Sequence, residues 1–192
     1  YIKQFPSKYF FHKIGVDTEN LIEVEKNYIS AQKFINSINQ NNFLKTHSSF
    51  KLNHDYDFTN EENTLGAIYI VRDPRNVLTS LMNHYSLTED DALKMINSIY
   101  RNLRDENDNY DFSSYSFISS WANNYKSWKM SKNINKLIIK YEDLENKENE
   151  TFLEILNFTD NLLKKNNKVD QKKFGSAIET TKFDILKKKE ED

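Results

Sequence analysis

The amino-acid sequence predicts an α/β fold in which a mostly parallel sheet is flanked by helices in three layers. Two short apolar runs, residues 67–71 and 136–141, have the composition of buried strands. Longer stretches before, between and after them carry apolar residues at the three- and four-residue spacing of helices. With 192 residues, of which 38% are hydrophobic, the chain is long enough for one domain with its own core.

The composition excludes several classes of protein. The sequence has no cysteine, which rules out disulfides and cysteine-ligated metals and predicts a reducing, cytoplasmic location. Its net charge of -2, with both signs mixed along the chain, argues against a nucleic-acid-binding surface. No apolar run approaches the roughly 20 residues that a membrane span needs, so we predict none.

The first part of the chain predicts one long helix and one short strand. The helix is expected to begin at a cap on Asp17 and to end near Asn39. Residues 42–47 follow as a short apolar run in which Lys45 and His47 would project to the same side of a strand. Spacing alone favours the alternative that this lysine and histidine lie exposed in a loop.

The segment from residue 67 to residue 85 predicts a strand that turns at once into a helix. The strand would be covered on both faces, Asp73 would cap the helix, and Pro74 would take its first position. Arg72 would lie at the junction, which is a place to bind an anion. On the helix, Ser80 is expected to point away from a buried stripe that ends at Tyr85.

Further elements follow along the chain. A helix capped by Thr88 is predicted to continue to Leu103, and residues 105–114 form a polar loop. The remaining predictions are an aromatic helix over 115–130 whose stripe belongs to the core, a strand over 136–141, and helices over 152–163, 170–180 and from 181 to the end.

The predicted strand ends carry the polar residues of a possible site. Lys45, His47, Arg72 and Tyr141 all fall at such ends. In parallel sheets, ligands bind outside the carboxyl ends of the strands. Cations and a histidine that meet there suggest an anionic cofactor, such as a phosphorylated nucleotide, next to a general base.

Five segments, in the same order along the chain, resemble the sulfotransferases that use 3′-phosphoadenosine 5′-phosphosulfate. The central one, YIVRDPRNVLTS over residues 69–80, is similar to the family's strand, Arg, Asn/Asp-Pro and Ser pattern. The others are LKTH over 44–47, the aromatic helix segment over 121–128, IKYEDL over 139–144 and TKFDIL over 181–186. The resemblance implies a fold of the P-loop nucleotide-binding type.

The resemblance also implies a role for each matching residue. Arg72 and Ser80 would hold the 3′-phosphate of the cofactor. Tyr141, Thr181 and Phe183 would contact its adenosine part. His47 would be the general base for the acceptor, and Lys45 would stabilise charge on the transferring group. This implication overrides the loop interpretation of Lys45 and His47, and it requires no metal.

Two segments of the family have no match in this sequence. One is the phosphosulfate-binding loop, Pro-Lys-Ser-Gly-Thr-Thr-Trp or similar, which would lie before Tyr1, and the other is a late Arg-Lys-Gly segment, which would lie after Asp192. We therefore expect a domain truncated at both ends, whose longer parent is active while the chain itself binds cofactor poorly and transfers little.

Two other functions remain open at this point. One is a kinase of the related P-loop fold, and the other is a non-catalytic nucleotide-binding module that lacks the anion cradle. For a sulfotransferase, the donor would be 3′-phosphoadenosine 5′-phosphosulfate, the product adenosine 3′,5′-bisphosphate, and the acceptor a hydroxyl or amine on a small molecule or glycan. The sequence identifies neither the acceptor nor the oligomeric state.

Overall fold

The structure, a computed structural model, describes residues 2–37, 41–103, 116–165 and 168–181. Helices and strands alternate along these ranges, as the α/β prediction requires. The elements in chain order are β1 (Lys3–Gln4), α1 (Lys8–Lys13), α2 (Leu21–Lys26), α3 (Tyr28–Asn36), β2 (Leu44–Lys45), β3 (Ala67–Val71), α4 (Pro74–Tyr85), α5 (Glu89–Asn97), α6 (Trp121–Met130), β4 (Lys136–Lys140), α7 (Tyr141–Asn146), α8 (Glu148–Leu162) and α9 (Gln171–Thr181). Within those ranges, no helix is both long and apolar enough to cross a membrane.

The strands of the described residues form two sheets of two strands each. β1 and β2 run parallel, with Lys3 opposite Leu44 and Gln4 opposite Lys45. β3 and β4 form the second pair. Mixed helix and strand with a small parallel sheet agrees with the predicted fold class, whereas the three-layer arrangement stays a prediction.

The chain divides into two compact units. The first holds the described residues up to Ala67 together with Arg72–Lys136, and the second holds Ile68–Val71 together with the described residues from Leu137 onward. The prediction of a single domain stays a prediction.

An aromatic cluster forms one core of the first unit. Phe5 and Tyr28 are fully buried, and their ring centroids lie 5.8 Å apart. The Phe58 ring lies 5.7 Å from each of them and 5.8 Å from the Trp128 ring. Tilted and edge-on contacts of this kind add stabilisation beyond the burial of apolar area. The cluster joins β1, α3, the 50–64 loop and α6.

A second cluster of the first unit lies between α4, α5 and α6. Leu81, Ala92 and Ile96 are buried at its centre, and the ring of Trp121 packs against them. Thr88 caps helix α5, since its hydroxyl oxygen accepts a hydrogen bond from the Asp91 N–H at 3.2 Å. The predicted cap is therefore confirmed.

Among the residues that the structure describes, the second unit contains most of β3 and β4 together with α7, α8 and α9. Thr151 of α8 donates its hydroxyl to the Asp143 carbonyl of α7 at 3.1 Å, which ties these two helices together. Asp170 caps α9 by accepting from the backbone N–H groups of Lys172 and Lys173, both at 3.1 Å. The predicted helix over 170–180 is thus confirmed to within one residue.

The predicted single helix from Asp17 to Asn39 is wrong. Two helices occupy this stretch, and they meet at Asn27. Asn20 rather than Asp17 is the cap, since its side chain accepts from the Ile22 and Glu23 N–H groups. Asp17 instead accepts from the N–H of Glu19 in a local turn. Asparagine and aspartate both compete for backbone donors in this way, so the periodicity alone did not locate the start.

Two other helix boundaries differ from the predictions, and so does the burial of strand β3 and of Tyr85. α5 ends at Asn97, because residues after it form an extended bridge in which Asn102 pairs with Phe117. For the same reason α6 begins at Trp121, not near 115. Strand β3 has the predicted bounds, but Ile68 and Ile70 are 39% and 51% exposed, so it is not covered on both faces. Tyr85 is 41% exposed and does not belong to the buried stripe.

The N-cap of α5 gives a test of this part of the fold. Thr88→Ala removes the side-chain acceptor of the Asp91 N–H, and such losses cost about 1 kcal/mol. We expect the free energy of unfolding to fall by that amount in urea denaturation. Thr79→Ala makes the same change inside α4, where alanine is the better helix former, and should not destabilise the protein. Equal stability of Thr88→Ala and the native protein would contradict the assigned cap.

Candidate active site

The start of α4 presents a charged cap next to Arg72. Asp73 accepts from the Arg75 backbone N–H at 2.9 Å and pairs with the Arg75 guanidinium, Nη2 to Oδ2, at 2.5 Å. The Arg75 side chain lowers the pKa of Asp73 to about 2, and the backbone N–H adds to this effect. Asp73 therefore remains ionised, and its charge is engaged by Arg75 and by the positive end of the helix.

Arg72 and Ser80 line one open pocket of about 540 Å³. The other residues that line it are Asn76, Thr79, Asn83 and His84. All but Arg72 lie on α4, at the spacing of a single helix face. The pocket thus combines a guanidinium with hydroxyl and amide groups, which is a donor set suited to phosphate or sulfate oxygens.

The sequence predicts part of the lining of this pocket. The helical period places Asn76, Ser80, Asn83 and His84 on the face opposite the core, and the structure confirms that Ser80 points away from the core. His84 lies at the pocket wall, and its ring centroid is 4.6 Å from that of Tyr85. Thr79 gave no signal, because a single hydroxyl at a helix surface is common.

Lys45 and His47 lie together at the end of β2. Leu44 and Thr46 are half-buried while Lys45 and His47 are exposed, which is the alternation predicted for an extended segment. Although exposed, the His47 imidazole loses part of its hydration to neighbouring protein atoms, and this lowers its pKa. The positive charge of Lys45 lowers the pKa of His47 further. His47 is therefore neutral and able to accept a proton near neutral pH.

Helix α6 binds the backbone of both Arg72 and His47. The indole N–H of Trp121 donates to the Arg72 carbonyl at 3.2 Å, and the side-chain amide of Asn124 donates to the His47 carbonyl at 3.3 Å. Residues three apart in a helix lie on the same side, one turn along. One turn of α6 therefore holds the backbone of the Arg72 pocket and the backbone of the Lys45 and His47 pair.

A strand–turn–helix unit lies beside Lys45, and sequence reasoning missed it. Gln4 of β1 pairs with Lys45, and the Phe5 N–H donates to the Lys45 carbonyl at 2.9 Å. Since β1 and β2 are parallel, the turn over residues 5–7 and the start of α1 lie at the same sheet edge as Lys45. A two-residue strand is too short to produce a periodic pattern.

Two of the three residues predicted to contact adenosine belong to the second unit. Tyr141 is half-buried and begins α7 directly after β4, as expected for a residue at a strand end. Thr181 is exposed at the end of α9, and its hydroxyl donates within that helix, to the Ala177 and Ile178 carbonyls at 3.0 Å each. Phe183, the polar loop over 105–114 and the predicted last helix lie outside the described residues.

Comparison with known proteins gives one match. The sequence matches the family model described as "Sulfotransferase domain" over residues 8–191, nearly the whole chain. No curated protein matches the sequence.

The charge of Lys45 offers a test of the geometry around His47. Replacing Lys45 by methionine removes the cation that opposes protonation of the imidazole, so the pKa of His47 should rise. NMR titration of the histidine ring protons measures this pKa, and the spectrum of His47→Gln identifies the signal. Lys51→Met is the matched control, since Lys51 pairs with Asp57 at 2.8 Å. An unchanged or lower pKa in Lys45→Met would show that the two side chains do not lie together.

Proposed function

Because the chain belongs to the sulfotransferase domain family, we propose that it transfers a sulfuryl group from 3′-phosphoadenosine 5′-phosphosulfate to a hydroxyl or amine acceptor. The family itself supports sulfuryl transfer in general. Our proposal adds the identity of the donor, the general base and the residues that contact the nucleotide.

The pocket at Arg72 is the observation that carries the proposal. Phosphate oxygens are best bound by a guanidinium together with neutral donors, and the pocket supplies Arg72 with the hydroxyl of Ser80 and two asparagine amides, whereas the Thr79 hydroxyl donates to the Arg75 carbonyl within α4. The neighbouring cation, Arg75, is paired with Asp73 and 89% exposed, so it does not belong to this donor set. The residues present therefore fit a 3′-phosphate, with Arg72 as the charged contact and Ser80 as a further donor.

The proposed base is His47. A donor nucleotide with a phosphosulfate bond supplies an activated sulfuryl group when bound. The acceptor hydroxyl must lose its proton as it attacks, and the imidazole of His47 can take that proton because its lowered pKa keeps it neutral. Lys45, on the same side of the segment, can stabilise negative charge that develops on the transferring group.

Three further residues belong to the proposed set. Tyr141, Thr181 and Phe183 are assigned to the adenosine part because they match the family pattern. The aromatic rings could stack on a base, and the hydroxyl of Thr181, whose proton is donated within α9, could accept a hydrogen bond. The acceptor is proposed to be a small molecule or a glycan.

Arg72 gives the first test of this proposal. In the full-length protein, Arg72→Ala should weaken binding of adenosine 3′,5′-bisphosphate by about 30-fold, since losing one partner of a hydrogen-bonded charge pair costs at least about 2 kcal/mol. Isothermal titration calorimetry measures the change. Arg75→Ala is the control and should bind as the native protein does. Native affinity in Arg72→Ala would refute the phosphate site, and a preference for ATP with Mg²⁺ would favour the kinase alternative.

His47 gives the second test. His47→Gln should bind adenosine 3′,5′-bisphosphate normally but transfer sulfuryl groups about 100- to 10,000-fold more slowly, because general base catalysis contributes that much. Transfer is followed with labelled donor and a panel of hydroxyl and amine acceptors. His12→Gln is the control, because the His12 ring bonds Thr18 at 2.9 Å and has no proposed role in transfer. Full activity in His47→Gln would refute the base. Absence of transfer in the native protein, with nucleotide binding intact, would favour the non-catalytic module.

A further inference from the structure

We propose that Asn124, Ser127 and Trp128 of α6 are positioning residues that fix His47 for proton transfer. This inference rests on the proposed function, in which His47 is the base. It adds a role for three side chains that none of the sequence patterns assigned to the site.

These three side chains bind successive backbone groups of the segment 47–50. The Asn124 amide donates to the His47 carbonyl at 3.3 Å, and the Trp128 indole N–H donates to the Ser48 carbonyl at 2.9 Å. The Ser127 hydroxyl oxygen accepts the Phe50 N–H at 3.0 Å. Side chains of α6 thus bind the segment that begins at the candidate base, in addition to two backbone hydrogen bonds, from the Ser49 N–H to the Phe117 carbonyl at 2.7 Å and from the Phe58 N–H to the Phe50 carbonyl at 2.8 Å.

The hydrogen bonds at Ser127 are consistent with its single proton. Its hydroxyl donates to the Asn124 carbonyl at 2.8 Å, one turn earlier in α6. The Ser49 hydroxyl, 2.8 Å away, must therefore donate to Ser127. Ser127 accepts two hydrogen bonds from the segment and donates one to its own helix, so its hydroxyl is fully satisfied and its orientation is fixed.

The position of the three residues along α6 explains why they act as one face. Residues at i, i+3 and i+4 of a helix lie side by side, and 124, 127 and 128 have this spacing. Trp128 is 5% exposed and packs against Phe50, with ring centroids 5.3 Å apart. The face is therefore anchored in the aromatic core at one end and meets His47 at the other.

A base must lie within hydrogen-bond reach of the proton that it removes, and an error of about 1 Å can cost about 100-fold in rate. Neighbouring atoms cover only part of the exposed His47 ring, so the position of the ring also depends on the backbone that carries it. Its backbone is restrained at the carbonyl by Asn124 and over the next three residues by Ser127 and Trp128. This is the physical basis for assigning the three residues to the position of the imidazole.

The experiment compares Asn124→Ala with Asn123→Ala in the full-length protein. Asn123 is exposed and adjacent, and its backbone N–H keeps its bond to Ser120 in the alanine variant. The Asn124 amide also donates to the Ile118 carbonyl at 2.9 Å, so the alanine variant frees the carbonyls of both His47 and Ile118. These residues are exposed and half-buried, respectively, so water can reach both carbonyls and the variant should fold. Ser127→Ala is a second variant of the same face. Thermal unfolding verifies that each variant is folded.

Two readouts separate positioning from stability. In Asn124→Ala and Ser127→Ala, kcat should fall about 10- to 100-fold with the KM for the donor unchanged. The NMR titration of His47 should also move towards the ordinary histidine pKa, because the loosened segment regains hydration. Asn123→Ala should change neither quantity.

The possible outcomes separate this inference from the proposed function. If folded Asn124→Ala and Ser127→Ala keep the native kcat and the native His47 titration, the inference is wrong, even if His47→Gln is inactive. If both variants shift the His47 titration while His47→Gln remains fully active, α6 does position His47, and the general-base assignment is what fails. A fall in thermal stability without either change would mean that the face serves only to pack the core.

Discussion

The arrangement of the first unit depends on side-chain N–H donors of one helix that bind backbone carbonyls of two separate segments. Trp121 binds the carbonyl of Arg72, and Asn124 and Trp128 bind those of His47 and Ser48. Carbonyls at the ends of strands lack ladder partners, and leaving them buried and unbonded would cost free energy. Helix α6 satisfies them and, in doing so, fixes where the two segments lie. The same side chains contribute to the cores, since the Trp121 ring joins the Leu81 cluster and the Trp128 ring joins the aromatic cluster.

The charges around Arg72 are arranged by the start of α4. Asp73 could in principle pair with either neighbouring arginine, but it caps the helix and engages Arg75 through two nitrogen atoms. Arg75 is held on the exposed side, while Arg72 lines the pocket with the polar face of α4. Arg72 and Arg75, three positions apart in the sequence, therefore lie in different environments. The pocket is thus lined by one guanidinium and neutral polar side chains rather than by two neighbouring arginines.

Sequence reasoning succeeded where a signal is local. Asp73 followed by Pro74, and Thr88 followed by three acidic residues, fix helix starts by short-range capping, and both are confirmed. It failed where tertiary contacts decide. The 20–27 region contains several possible caps, and only packing selects Asn20, while Phe117 leaves the helical pattern to pair with Asn102. The contacts of Asn124 and Ser127 join residues more than seventy positions apart, and no local pattern marks them. The prediction that the aromatic stripe of α6 belongs to the core is correct for Trp128. It does not include the hydrogen bonds that the indole N–H groups of Trp121 and Trp128 donate.

The spacing of the α6 donors has a consequence for how this protein tolerates change. Each residue added to or removed from a helix rotates everything after it by about 100°. A single insertion or deletion between Trp121 and Trp128 would turn one group of donors away from its carbonyls while the other stayed in place. Surface substitutions on α6, by contrast, leave the phase of the helix intact. A change in the length of this helix should therefore disturb the fold more than a change in the identity of its exposed residues.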